Sequence, residues 1–359
     1  MDEVRYDNYL QLDKILDSQR PCSKTSDGKQ DFVHDELLFI ITHQAFELWF
    51  KQILFELDDV LGKFSSGNLS DKDLSLVEQR LSRVEQIQEL LLTQFASLET
   101  MTAQDFLDFR DFLIPASGFQ SFQFRLIESK MGLLFSQRSQ SKEYLLSAFE
   151  SNQIKRLEQV LAQPSLFDHV QAWLERMPFL VHGQYAFLHD YQISVKRMLE
   201  NERKRISQSP RSPMVQDIEL HQLQQNESNF ESLFDEKKYQ DLIKEGKRRL
   251  SRSALLSALF IHLYRSYAIF HLPFRVLQLI VAIDENWERW RARHFRMIRK
   301  MIGKKIGTGG SSGHDYLRST IDQHRVFSDF DQIPTYLLPG RYIPELPSEL
   351  KSKLGFSWE

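Results

Sequence analysis

Residues 33–61 read VHDELLFIITHQAFELWFKQILFELDDVL, a run without proline or glycine in which Leu37, Ile41, Ala45, Leu48, Ile53 and Leu57 recur at spacings of three to five. Residues three or four apart share one face of an α-helix, so this stretch predicts a long helix with an apolar stripe. The same period extends outward. Leu74–Phe95 repeats it, and Phe106–Leu113 forms a short helical stretch that Pro115 ends. Phe119–Gly132, Ser151–Leu161, Leu166–Met177 and Phe179–Ile206 resume it, with Pro178 placed where a proline can open a helix. Leu233–Gly246 and Ser253–Phe270 are helical, and a long helix follows Pro273 to about Ile302, where a series of glycines ends it. Ser207–Pro213 (SQSPRSP) reads as a linker and Val215–Phe230 as polar and poorly patterned, so a mobile, peripheral helical excursion is expected over 207–230. Pro334, Pro339, Pro344 and Pro347 suggest irregular wrapping at the C-terminal end. Alternating apolar and polar residues between turn dipeptides are missing, as is any repeat of roughly 20–50 residues. The expectation is an all-α fold: a single large helical domain over 1–359, with 1–24 as an N-terminal arm.

Composition narrows the function. The chain has 359 residues, 42% hydrophobic and 26% charged, with a formal net charge of −3. No overall field of that size draws in nucleic acid or an anionic membrane. The basic runs Lys196–Arg205 and Arg289–Lys305 read as solvated helix faces. Aromatics reach 12%, with 27 Phe, enough to line a large apolar interior or a pocket. The single cysteine, Cys22, cannot form an internal disulfide. The segment Met1–Leu10 carries four charges and resembles no signal peptide. The most apolar stretch, Ala254–Ile283, is interrupted by His262, Arg265, His271 and Arg275, against a membrane span. The chain reads as cytoplasmic.

Eleven histidines in a helical protein invite a metal. None is preceded three positions earlier by Glu, against a di-iron carboxylate bundle. HExxH is missing, and one cysteine cannot build a cysteine-rich zinc site. Gly307-Thr308-Gly309-Gly310-Ser311-Ser312-Gly313 follows a helix rather than a strand and lacks the Lys-Ser/Thr ending of a phosphate loop.

Two histidines carry sharper readings. His294 lies on the stripe Trp287, Trp290, Arg291, His294, Met297, Ile298, Met301. The common reading is a core histidine with a hydrogen-bond partner; the sharper one is a haem axial ligand, ringed by apolar groups on a rigid helix. Nearby Arg289, Arg293 and Arg296 are placed to pair with propionates or to face water. His43 shares its stripe with Phe39 and Phe50, beside Phe46 and Glu47, and suits a pocket where one polar group orients an apolar ligand. Arg110, four residues after Phe106, is either a surface arginine or a bidentate clamp for a carboxylate.

At these residues the chain resembles the tryptophan 2,3-dioxygenase family. Phe39-Ile40-Ile41-Thr42-His43-Gln44-Ala45-Phe46-Glu47-Leu48-Trp49-Phe50-Lys51 is similar to its distal helix, and Pro115-Ala116-Ser117-Gly118-Phe119-Gln120-Ser121 with Gln123-Phe124-Arg125 to its central motif. Arg289-Trp290-Arg291 with His294, followed by the glycine-rich stretch 307–313, resembles its proximal helix and substrate loop. Tyr6-Asp7-Asn8-Tyr9-Leu10 with Leu12 resembles its N-terminal arm. The matches run in order from about residue 6 to 345.

The resemblance implies haem b, active as Fe²⁺ and held between helices, with His294 as axial ligand of the iron and Ser117 and Gly118 near the haem edge. It implies O₂ as co-substrate and L-tryptophan as substrate, opened at the indole C2–C3 bond to N-formyl-L-kynurenine, the first step of the kynurenine pathway. His43 would be the distal histidine facing the indole N–H, with Phe39 and Phe106 as apolar walls. Arg110 would bind the substrate carboxylate and Thr308 its amino-acid end. Tyr6 and Tyr9 would come from a neighbouring subunit of a homotetramer. His314 stands where many relatives carry Tyr. A haem monooxygenase and a non-catalytic haem-binding scaffold are the alternatives that fit the same fold.

Overall fold

A computed structural model describes residues 4–24, 32–67, 69–138, 146–303, 305 and 313–355. The fold is all-α. In chain order the helices are α1 (Tyr6–Leu10), α2 (Leu12–Leu16), α3 (His34–Ser65), α4 (Asp71–Leu98), α5 (Ala103–Arg110), α6 (Phe122–Met131), α7 (Ser151–Leu161) and α8 (Leu166–Glu175). Then come α9 (Phe187–Ser207), α10 (Pro213–Phe234), α11 (Glu236–Lys244), α12 (Arg252–Leu263), α13 (His271–Ile302), α14 (Gly313–Gln323), α15 (Ile333–Tyr336) and α16 (Ser348–Leu354). Two short strands, β1 (Val181–His182) and β2 (Tyr185–Ala186), pair antiparallel around a tight turn where Gly183 takes φ +59°. A two-residue ladder is too short to leave an alternating pattern in sequence.

Local chemistry sets the boundaries. Thr102 caps α5, accepting from the Asp105 N–H at 3.2 Å while its own N–H donates to Asp105 at 2.9 Å. Ser121 caps α6, and Gly132, at φ +112°, ends it in the left-handed conformation that glycine accepts without strain.

The chain divides into two compact units. The first comprises Met1–Asp58, Arg83–Gln163 and Ile283–Arg325. Its core combines Phe46, Phe50 and Ile53 of α3 with Leu91, Leu92 and Phe95 of α4, Phe124 and Ile127 of α6, and Trp287 of α13. The buried face of α3 is therefore the one through Phe46, Phe50, Ile53 and Leu57, while Ile41 and Leu48 are exposed. The sequence stripe had placed the latter two on the core face. Glu36, fully buried, anchors the end of the N-terminal arm by accepting from the Cys22 and Ser23 N–H groups at 2.7 and 2.9 Å.

The second unit comprises Asp59–Ser82, Pro164–Ala282 and Val326–Glu359. Residues Ala254–Ile261 of α12 are buried on every side, which is why that stretch is so apolar. No described helix is long and apolar enough to cross a membrane. The proline-rich end wraps in short turns pinned by tyrosines: Tyr191 donates to the Tyr336 carbonyl at 2.6 Å and Tyr264 to the Pro344 carbonyl at 2.7 Å. The excursion expected over 207–230 is mostly helix. Pro213 opens α10, which buries Leu223, Phe230 and Leu233, sets Phe230 against Tyr191 of α9 at 6.4 Å and joins α9 through an Arg203–Glu227 ion pair at 2.7 and 2.8 Å. Only three of its 22 residues are buried, too few to show as a periodic stripe.

Candidate functional site

Within the first unit, α3, α4, α5, α6, α13 and α14 line one cavity of about 530 Å³ together with the segment that precedes α6. Its walls are mainly aromatic: Phe39, Phe46, Phe50, Phe95, Phe106, Phe124 and Trp290 all reach it. Phe124 stacks on Trp290 with ring centroids 5.0 Å apart. Phe106 and Phe109 meet edge to face at 5.4 Å, and Phe39 lies 5.9 Å from Phe106. Rings in these arrangements hold one another in place and leave a rigid apolar slot.

His43 faces this slot from α3, its ring centroid 4.1 Å from that of Phe39. Its Nδ1 lies 2.7 Å from the Phe39 carbonyl oxygen. A carbonyl can only accept, so in the neutral ring Nδ1 carries the proton and Nε2 the lone pair. Desolvation pushes the pKa of His43 below 6.5, opposed in part by the Phe39 bond and the charge of Glu47. At neutral pH this histidine therefore presents an acceptor to the cavity, matched to an N–H donor.

His294 faces the same cavity from α13, 5.2 Å from the Trp290 ring and 6.2 Å from the Phe95 ring. Burial, with a smaller contribution from His43, lowers its pKa to about 4. The imidazole is neutral at any physiological pH, the form that ligates a metal. Its Nδ1 is buried with no protein partner among the described residues. A neutral imidazole with an unmet nitrogen, on the wall of an apolar cavity of this size, fits an axial ligand of haem.

Arg110, at the end of α5, lines the cavity beside Phe106. Ser117 and Gly118 line it from the connecting segment, where the Ser117 N–H donates to the Gln120 side chain at 3.2 Å. The structure thus gathers Phe39, His43, Phe106, Arg110, Ser117, Gly118 and His294 around one space. Tyr6 and Tyr9 are not in it: they are 76% and 75% exposed on α1. Thr308 and the glycine-rich loop around it lie outside the described residues, as does the His314 side chain.

Of the two readings open for the arginines near His294, Arg289 and Arg293 take the one that turns away from the cavity. Arg289 pairs with Glu89 at 2.6 Å on the surface, and Arg293 with Glu99 at 3.0 Å; neither lines the cavity. Arg291 and Arg125 do, and both bind Glu128. That carboxylate is 4% exposed and gathers Arg125 at 2.7 Å, Arg138 at 2.5 Å, Arg291 at 3.2 Å and His324 at 3.4 Å. Burial alone would raise its pKa. The Arg125 and Arg138 charges, the His324 bond and the Arg291 charge outweigh burial and hold it well below the carboxylate range. A charged pair three residues apart inside the apolar run of α6 was a usable sign of this cluster. His324, on the residue after α14, left no sign in sequence.

Glu128→Gln should destabilise the protein by roughly 3–5 kcal/mol, because three guanidiniums lose their shared counter-charge. The depressed pKa also fixes the sign with pH. Glu128 contributes stability above the unfolded carboxylate pKa of about 4.3, and that contribution is lost as pH falls through the folded value. Denaturant midpoints should therefore fall more steeply below about pH 4 in the wild type than in Glu128→Gln. Parallel curves would show that Glu128 does not carry the acid sensitivity.

A family model described as tryptophan 2,3-dioxygenase matches residues 1–337. The tryptophan 2,3-dioxygenase of Bdellovibrio bacteriovorus is 43% identical over 359 residues, covering 99% of this chain and 99% of that protein. That of Alteromonas mediterranea is 44% identical over 356 residues, covering 98% and 97%. That of Dictyostelium discoideum is 42% identical over 358 residues, covering 99% and 89%.

Proposed function

Because the chain belongs to the tryptophan 2,3-dioxygenase family, we propose that haem and L-tryptophan meet in the cavity of the first unit, with His294, His43 and Arg110 dividing the work. The protein is an oxidoreductase, a haem dioxygenase that oxidises tryptophan in the first step of kynurenine catabolism. The observation that carries the residue roles is their convergence: three polar side chains from α3, α5 and α13 reach one mainly aromatic space.

His294 would hold haem b through its neutral ring, supported by Trp290 and Phe95. Bound haem supplies, as Fe²⁺, the redox centre at which O₂ is activated. The protein's own part is binding and orientation. Arg110 takes the substrate carboxylate by charge-assisted hydrogen bonds, stronger than neutral ones. The indole enters the slot between Phe39 and Phe106. The Nε2 of His43 accepts from the indole N–H, which fixes the ring's rotation. Binding energy from the amino-acid end is thereby spent on presenting C2 and C3 for attack. Both oxygen atoms enter the product, N-formyl-L-kynurenine, so turnover consumes no external reductant. Thr308, Ser117 and Gly118 complete the reading, Thr308 at the amino-acid end and the other two near the haem edge. Tyr6 and Tyr9, both exposed on α1, would reach a neighbour's cavity in a homotetramer, and the enzyme would act in the cytoplasm.

The test is a tryptophan assay following N-formylkynurenine, with haem content measured on the same sample. A product heavier than tryptophan by two oxygens agrees with the proposal, and a gain of one oxygen points to a monooxygenase. Bound haem without turnover leaves a scaffold. His43→Ala should keep its haem and bind tryptophan about threefold to tenfold more weakly, the worth of one neutral hydrogen bond. Unchanged tryptophan affinity by spectral titration would remove His43 from the indole.

A further inference from the structure

The segment from Ile114 to Ser121 brings Ala116, Ser117, Gly118 and Gln120 to the cavity, yet little core packing holds it. Ile114, Pro115, Ala116, Gly118 and Gln120 are all exposed, and a Cβ built on Gly118 would meet nothing within 4 Å. At its centre the Ala116 N–H donates to the Leu113 carbonyl at 2.7 Å and the Ser117 N–H to Gln120 at 3.2 Å. Its far end is fastened to α3. Glu47, one turn beyond His43, accepts from the Ser121 hydroxyl at 2.5 Å through one oxygen and from the Gln123 amide at 2.8 Å through the other. The same Gln123 nitrogen also reaches the Glu47 backbone carbonyl at 2.8 Å.

We propose that Glu47 is a positioning residue: its carboxylate locks the 114–121 strap to the helix that carries His43, so that both sides of the substrate slot move as one piece. The inference rests on reading this cavity as the tryptophan site. A carboxylate suits the task because it offers acceptors only, and both partners donate. Neutral glutamine has the same shape but no charge: it can still accept from Gln123, and it meets Ser121 only if the hydroxyl turns round to accept, so two charge-assisted bonds become neutral ones.

The experiment is Glu47→Gln in the holoenzyme, read in two ways. Steady-state kinetics should show KM for tryptophan raised roughly tenfold, as two charge-assisted bonds weaken to neutral ones, with kcat within about threefold and haem content unchanged. Hydrogen exchange should show faster exchange of the backbone amides in the 116–121 stretch, with α3 unchanged. In a background where Ser121 and Gln123 are both alanine, Glu47→Gln should add nothing further, since its partners are gone. Wild-type exchange and KM in Glu47→Gln overturn the proposal, and so does an undiminished effect in the alanine background. The exchange measurement needs no turnover. Failure of the tryptophan reading would therefore appear as a wild type that makes no N-formylkynurenine, while the exchange data still decide the role of Glu47.

Discussion

His294→Ala is expected to emerge from purification without haem, its Soret absorption lost and its helical circular dichroism kept. Side chains that merely orient a metal ligand typically cost 10–100-fold in affinity when removed, so loss of the ligand itself should cost about a hundredfold or more. The fold should survive, because the side chain occupies a cavity wall rather than the packed interior and its Nδ1 bonds nothing among the described residues. Free imidazole should restore part of the Soret band in His294→Gly, by entering the space the ring leaves. A His294→Ala protein that retains haem with an unaltered spectrum would assign the ligand to another residue. His43 would then be the first to examine, being an imidazole that lines the same cavity from α3.

Arg110→Ala is expected to lower kcat/KM for tryptophan by roughly 30-fold to several thousand-fold, which corresponds to about 2–5 kcal/mol for a desolvated charge pair. The range is wide because the gain depends on how completely the filled cavity excludes water. The loss should be specific to substrates with a free carboxylate. Tryptophan amide, already lacking the anion, should be a poor substrate for the wild type and lose little more in the variant. Haem content should stay level, since Arg110 lies at the end of α5 beside Phe106 and away from His294 in sequence. Thr308→Ala should cost less than Arg110→Ala, because it removes a neutral hydrogen bond rather than a charge. An Arg110→Ala enzyme with unchanged kcat/KM would leave the substrate carboxylate without its partner and return Arg110 to an ordinary surface role.

These residues show what sequence can and cannot disclose. The long helices were legible because their apolar period is uninterrupted, but the buried face of α3 was not. That helix carries two apolar stripes, one through Ile41 and Leu48 and one through Phe46, Phe50, Ile53 and Leu57, and spacing alone cannot say which meets the core. His43 and Phe39 sit at neighbouring turns of one helix, so their partnership could be read directly. The meeting of His43 with Arg110 and His294 depends on tertiary packing and was reached through resemblance. The propionate candidates illustrate the same limit: Arg289 and Arg293 stand near His294 in sequence yet turn to Glu89 and Glu99, while Arg291 turns inward to Glu128. One helical residue is a rotation of about 100°, enough to decide between solvent and cavity. The excursion over 207–230 was legible as peripheral helix but its seat was not, since a helix with three buried apolar residues and an ion pair leaves no periodic stripe in sequence.

The most direct test of the arrangement is a crystal structure of the haem-loaded enzyme with L-tryptophan bound. The account predicts a porphyrin between His294 and His43, iron bonded to the imidazole of His294, the amino-acid carboxylate on Arg110 and the indole N–H on Nε2 of His43. A porphyrin bound elsewhere, or tryptophan seated with its carboxylate away from Arg110, would contradict it.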